Sequence, residues 1–196
     1  MATFTSSTFL GGAGRFKFQS NSWANVRGGT DASEMFSSYE INAQHFAGTW
    51  YIQRVFLPID TSSIPSDATI TGVTLNFNAN YEGGLSSTVA HLVQTTQSNT
   101  GTRIAGDYNN INFVTGGNVA ISDSSSTAKS ITGNATSLTW IVKGGTTLIA
   151  LMASRDQSNT DPNGSFSEWA TIGSPELVVT YTVPMTTRKL PTLGVG

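Results

Sequence analysis

Residues 50–79 (WYIQRVFLPIDTSSIPSDATITGVTLNFNA) constrain the fold of this chain more than any other segment. After Gly72, apolar and polar residues alternate, and the apolar residues that share one face are Val73, Leu75, Phe77 and Ala79. Because successive side chains of a strand point to opposite faces, this pattern predicts a half-buried antiparallel strand. Before it, Asp60 precedes a short turn that Pro65 ends, as an N-cap residue does. The segment therefore predicts two strands joined by a tight corner, as in a β-sandwich.

Short apolar runs separated by Gly, Ser and Asn clusters recur along the rest of the chain. They predict strands at residues 39–46, 48–57, 88–95, 111–114, 118–122, 127–132, 146–154 and 175–183. Residues 134–143 are the best helix candidate, because their apolar residues lie at near-helical spacing and Gly144 follows them. The predicted fold class is all-β: an antiparallel β-sandwich of jelly-roll type with one short helix. A simple Greek-key sandwich fits the same pattern and is the alternative.

The predicted sandwich spans residues 15–183 and has polar segments on both sides. Residues 1–14 are expected to form an N-terminal arm, and residues 184–196 a C-terminal tail. Ordering a free arm costs entropy, which contact with a neighbouring subunit would offset. Simple terminal disorder is the alternative for both segments.

The composition predicts an uncharged polar surface. Charged residues make up 11% of the chain, against about a quarter in ordinary globular domains, and Ser, Thr, Asn and Gly take their place. Such surfaces are typical of adhesins, carbohydrate binders and virus coats. The net charge of −2 and the scattered basic residues argue against nucleic-acid binding. The absence of cysteine favours a microbial or viral source.

The N-terminal residues lack the basic and apolar regions of a signal peptide, and no apolar run approaches the length of a membrane span. An extracellular type of surface without an export signal favours a virion protein that is released by lysis. A cell-surface or secreted protein whose leader was removed is the alternative.

Two segments carry a family resemblance: YIQRVFLPIDTSSIPSDATITGVTLNF, and NATSLTWIVKGGTTLIALMASRD with the closing strand PELVVTY. Together they resemble the DNRLRE-type modules, which are similar to the jelly-roll propeptide of TGF-beta precursors. The resemblance covers roughly residues 48–183. It implies a jelly-roll fold of the kind found in phage proteins, bacterial surface proteins and carbohydrate-active enzymes, and it leaves the function open.

Catalytic chemistry finds little support in the sequence. His45 and His91 both lie in predicted strands, and no nucleophile-elbow motif is present. Ser126 and Lys129 match a serine–lysine motif, but such matches arise by chance in a serine-rich chain. Arg54 is the one charge inside a strong predicted strand, so we expect a structural ion pair with Asp60 or Asp156. The protein is therefore not expected to be an enzyme.

Two sets of residues are candidates for binding. Oxygen-bearing side chains in one loop resemble the start of a calcium-binding loop: Asp156, Asn159, Asp161 and Asn163. A plain polar turn explains the same residues. Aromatic residues in or beside loops are candidates for a glycan platform: Trp23, Tyr81, Tyr108 and Trp169. Packing beneath the loops is the alternative for these rings, and Trp50 and Trp140 are expected in the core.

These observations lead to two expectations for function. The first is a non-enzymatic structural protein of a virus particle, a phage head or tail decoration subunit located in the virion. Its partners would be other virion proteins and itself, as a homo-oligomer, without nucleic acid or membrane. The alternative is a carbohydrate-binding module or adhesin on a bacterial surface. No cofactor is expected apart from the calcium considered above.

Overall fold

A computed structural model describes residues 1–82, 87–163 and 167–184, which form eleven strands and three short helices. The strands are β1 (Ala2–Ser6), β2 (Gly14–Ser20), β3 (Glu34–Phe36), β4 (Glu40–Phe46), β5 (Thr49–Asp60), β6 (Thr69–Tyr81), β7 (Thr88–Thr95), β8 (Ile111–Ile121), β9 (Thr127–Thr132), β10 (Thr146–Ala153) and β11 (Ser167–Thr182). The helices are α1 (Trp23–Gly28), α2 (Ala135–Leu138) and α3 (Ser154–Ser158), and a single 3-10 turn covers Ala105–Asp107. None of the described helices is long and apolar enough to cross a membrane.

Strands β4 to β11 are arranged in the order of a jelly roll. The first sheet runs β4-β11-β6-β9 and the second runs β5-β10-β7-β8, with antiparallel pairing throughout. β1 extends the first sheet beside β11, whereas β2 and β3 extend the second sheet beside β5. The prediction of an all-β antiparallel sandwich of jelly-roll type is therefore confirmed.

The two sheets diverge from one edge of β5. Residues 49–53 of β5 pair with β4, and residues 55–60 pair with β10. β2 pairs with residues 50–56 and so occupies the opposite edge along both parts. Since a strand has only two edges, β4 and β10 lie end to end along the remaining one. The first half of β5 therefore continues the first sheet beside β4. One face of this half belongs to the outer face of that sheet.

One apolar core joins the two sheets, and β5 and β10 are buried on both faces. Strand β6 contributes the alternating residues that the sequence predicted to be buried: Val73, Leu75, Phe77 and Ala79. Trp140 is buried as expected, whereas Trp50 is only half-buried. On its other face the second sheet is covered by α1, α3 and the 3-10 turn, which contact Arg54 of β5.

The N-terminal segment is part of the sheet and does not project as the arm expected from the sequence. Residues 2–6 form β1, which pairs with residues 177–181 of β11. The segment then continues inward, where the Leu10 amide donates to the Pro58 carbonyl at 3.0 Å and Ala13 is buried. The small polar residues of this segment suit an edge strand, which needs few large side chains. Most of the expected C-terminal tail, residues 185–196, lies outside the described residues.

The described helices are shorter and more numerous than the sequence predicted. The candidate at residues 134–143 reduces to α2, which has only four residues and is capped by Asn134. α1 was not predicted, because its cap at Ser22 lies only two residues after the end of β2 and the helix lasts less than two turns. β8 is also one strand of eleven residues rather than the two strands predicted within it.

A buried ion pair anchors the helical side of the molecule. The guanidinium of Arg54 donates to both carboxylate oxygens of Asp156 at 2.7 and 2.9 Å, and neither side chain is exposed. Arg54 also donates to the carbonyl oxygens of Tyr108 and Arg27. The predicted pairing of Arg54 with Asp156 is confirmed, whereas Asp60 instead accepts from the Ser62 amide as a turn cap.

Candidate functional site

Three of the four predicted calcium ligands are already engaged with other side chains. Asp156, the first of them, is fully buried and gives both oxygens to Arg54. Asn159 accepts from the Trp23 indole at 3.0 Å. Asn163 is exposed at the end of the loop.

Asp161 completes this set, and its carboxylate accepts from the Trp50 indole at 2.7 Å. Within residues 1–82, 87–163 and 167–184, no group of three or more histidine or acidic side chains is placed to hold a metal ion. The alternation of oxygen-bearing residues in this loop therefore serves contacts with α1 and β5. We make no calcium proposal from it.

Three of the four residues predicted as a glycan platform are buried: Trp23, Tyr81 and Tyr108. Their polar ends find acceptors inside the protein, which are Asn159, the Ser167 carbonyl and the Val26 carbonyl. Such rings pack beneath loops because the apolar body is buried while the polar tip keeps a hydrogen bond. Trp169 is the member of this set that stays half-buried and borders an open groove.

This groove lies on the outer face of the first sheet and has a volume of about 210 Å³. We call it the first groove, and its lining residues come from β2, β4, β5 and β11: Lys17, Asn42, Gln44, Phe46, Tyr51, Gln53 and Trp169. Strand register brings them together, because Asn42 stands opposite both Gln53 and Trp169. Aromatic rings and amide side chains therefore alternate across neighbouring strands of one face.

Two polar atoms beneath the first groove have no hydrogen-bond partner. They are the indole nitrogen of Trp169, a donor, and the side-chain oxygen of Asn42, an acceptor. Asn42 is only 3% exposed, and its amide nitrogen donates to Gln44 over a long 3.4 Å. Buried polar groups are almost always paired, so an unpaired donor and an unpaired acceptor on facing residues need an explanation. The long bond from Asn42 is the one side-chain hydrogen bond that Gln44 makes to the described residues, so little holds Gln44 in place over Asn42.

The charges around the first groove are compensated within the protein. Lys17 pairs with Glu34 at 3.2 Å, and Arg15, two residues earlier on β2, pairs with Glu40. Lys17 also lies 5.6 Å from the centre of the Tyr51 ring. The groove therefore presents rings and amides to a ligand, with little net charge.

The residues considered for catalysis are not among those that line this groove. Nδ1 of His91 is 3.3 Å from the Thr115 hydroxyl, and burial lowers the pKa of His91. His45 stacks on Trp50 with ring centres 4.0 Å apart. Lys129 contacts Asp123 at 2.5 Å, and Ser126 is exposed on the loop between them.

Most residues of the first groove were not predicted from the sequence. Its members stand at alternate positions of two paired strands, so the signal was the polar or aromatic residue at every second position: Asn42, Gln44 and Phe46 on β4, and Tyr51 and Gln53 on β5. Reading that signal requires the pairing of β4 with β5, which places the two sets on one face.

No protein-family model matches this chain, and no curated protein matches it. The resemblance to DNRLRE-type modules therefore stays a prediction.

Proposed function

We propose that this protein is a non-enzymatic carbohydrate-binding β-sandwich and that its binding site is the first groove. The observation that carries the proposal is that Trp169 and Asn42, which stand opposite each other on neighbouring strands, each have one unpaired polar atom. A hydroxyl group can accept from an indole and donate to an amide oxygen, so sugar hydroxyls are suitable partners for both atoms. A carboxylate has no proton for Asn42, and an ammonium group has no lone pair for Trp169.

The rest of the lining supports a sugar ligand. Phe46 is 60% exposed and stands beside Tyr51 and Trp169, so apolar surface is available for the faces of sugar rings. Gln44 and Gln53 add amide groups around these rings. Rings that orient a ligand, combined with a few well-placed polar groups, are the usual composition of small-molecule sites. Jelly rolls include lectins, although the fold alone does not establish this function.

Trp169→Phe tests the proposal, because it keeps an aromatic ring and removes the indole donor together with a small part of the ring surface. A panel of neutral hexasaccharides of glucose, mannose, galactose and xylose is screened first, and the best ligand is titrated by calorimetry. We expect the variant to bind about 3- to 10-fold more weakly, the value of one hydrogen bond. Its free energy of unfolding should change by less than about 1 kcal/mol, since the lost volume is offset by removal of an unpaired buried group.

Trp140→Phe is the matched control, because Trp140 is buried and is not among the residues that line the first groove. It should bind the same hexasaccharide with unchanged affinity. If Trp169→Phe bound the hexasaccharide with unchanged affinity, the indole N–H would not be a ligand contact. Absence of binding by every member of the panel would reject the proposed function.

A structural role in a virus particle is the second candidate function. The observation that favours it is β1, which among the described residues pairs along one edge only, with β11. An identical β1 from a neighbouring subunit would fit the same register, so exchange of this strand would link copies of the chain. In this second function the protein is a subunit of the particle surface. It would assemble through β1 and bind a glycan in the first groove.

Light scattering at increasing protein concentration tests this second function. We expect the full chain to form a stable dimer or larger species, and a variant that lacks residues 1–6 to be a monomer. Circular dichroism of the shortened variant verifies that the remaining sheet is folded. A full chain that stays monomeric at all concentrations would contradict the assembly role.

A further inference from the structure

A second groove lies on the same outer face as the first. It has a volume of about 360 Å³ and is bordered by β6, β9 and β11. Register shows that the two grooves share a face: Trp169, Thr171 and Gly173 alternate on β11, and Gly173 stands opposite Asn78 of the second groove. Both grooves are therefore open to the same side of the first sheet.

On the outer face of β11, no bulky side chain stands between the two grooves. Gly173 has no side chain, and a Cβ atom built there would approach nothing closer than Asn78, at 3.8 Å. Trp169 and Gly173 are four residues apart on β11, which corresponds to about 13 Å along a strand. An extended ligand can therefore pass over Gly173 from one groove to the other without crossing a bulky side chain of β11.

The second groove has the same neutral polar chemistry as the first. Asn78 is exposed and makes no side-chain hydrogen bond to the described residues, so its amide is available to a ligand. Ser130 donates to Asn76 at 2.9 Å. The one cation of the lining, Lys129, is paired with Asp123, whereas Glu176 adds a negative charge. The negative charge of Glu176 would repel an acidic polymer in the second groove.

We propose that the ligand is an extended neutral polysaccharide that runs from the first groove across Gly173 to the second. The proposal rests on the proposed function, since the first groove supplies the primary contacts. A short oligosaccharide fills the first groove alone. A longer chain also contacts Asn78 and its neighbours, so affinity rises with chain length.

Gly173→Tyr tests this path, because its ring would stand between the grooves while its Cβ fits the backbone. Thr182→Tyr is the matched control, since Thr182 is an exposed residue at the far end of the same strand. A disaccharide and a hexasaccharide of the best neutral glycan are titrated by calorimetry. The wild-type protein should bind the hexasaccharide about tenfold more tightly than the disaccharide, equivalent to about 1.4 kcal/mol.

Gly173→Tyr should lose this tenfold gain and keep its affinity for the disaccharide, whereas Thr182→Tyr should behave as wild type. Asn78→Ala, a milder exposed change, should lower hexasaccharide affinity alone. Equal affinity for both lengths in the wild type overturns the extended path and leaves the proposed function standing. Tighter binding of an oligogalacturonate hexamer overturns the neutral class. Absence of binding by any sugar overturns both proposals.

Discussion

Replacing Asp156 with asparagine is expected to lower the free energy of unfolding by about 3–5 kcal/mol. The change leaves the buried guanidinium of Arg54 without its counter-charge and points an amide group at it. Burial alone would lower the pKa of Arg54, but the negative charge of Asp156 raises it well above its ordinary value. Arg54 therefore stays charged in the native protein. It stays charged in the variant as well, because a guanidinium group does not lose its proton in proteins.

Chemical denaturation measures this loss, with Asp67→Asn as the matched control. Asp67 is exposed, so the same substitution there should change the free energy of unfolding by less than about 0.5 kcal/mol. The loss at Asp156 should persist at about 1 M salt, because a buried pair is screened far less than a surface pair. A loss below about 1 kcal/mol, or one that disappears in salt, would contradict the role of this pair as an internal anchor.

Phe56→Ala and Phe46→Ala are expected to separate stability from binding. Phe56 is fully buried, and its ring centre lies 4.5 Å from that of Phe16. Its truncation should cost about 3–5 kcal/mol, since a cavity remains where β2 and β5 pack beneath the helices. Phe46 is 60% exposed at the first groove, so its truncation should cost less than about 1 kcal/mol.

Sugar titration of the two variants completes this comparison. Phe46→Ala should weaken hexasaccharide binding, because the exposed ring offers a face to the ligand. Phe56→Ala, measured where it remains folded, should bind like the wild type. The interpretation of the first groove would fail if Phe46→Ala lost stability as strongly as Phe56→Ala, or if its sugar affinity stayed unchanged.

The strands with clear alternation were the predictable part of the fold. β7 and β9 have the bounds predicted for them, because each is a single run between loop residues. β11 begins earlier than predicted, at Ser167 rather than at residue 175, where the proline is compatible with the start of a strand. In the structure the register shifts between Gly173 and Glu176, so the strand continues through a bulge.

The candidate site was less predictable than the fold. Aromatic residues near loops were expected at the surface, yet Trp23 and Tyr108 pack inward because their polar tips reach acceptors distant in sequence. The first groove depends on the register of Asn42 with Gln53 and Trp169, which are contributed by three strands. Local patterns carry no information on such pairing. By contrast, the partner of Arg54 could be narrowed to two residues, since a buried cation requires an acid.

The pairing of β1 with β11 has a consequence for the order in which the protein is made. β1 precedes the other described strands in the chain, and its partner is the last of them. Until β11 exists, β1 has no sheet to join, and its backbone groups stay open to other chains. Contacts between such distant segments form slowly. The open edge of β1 is therefore covered only when the last of the described strands is complete.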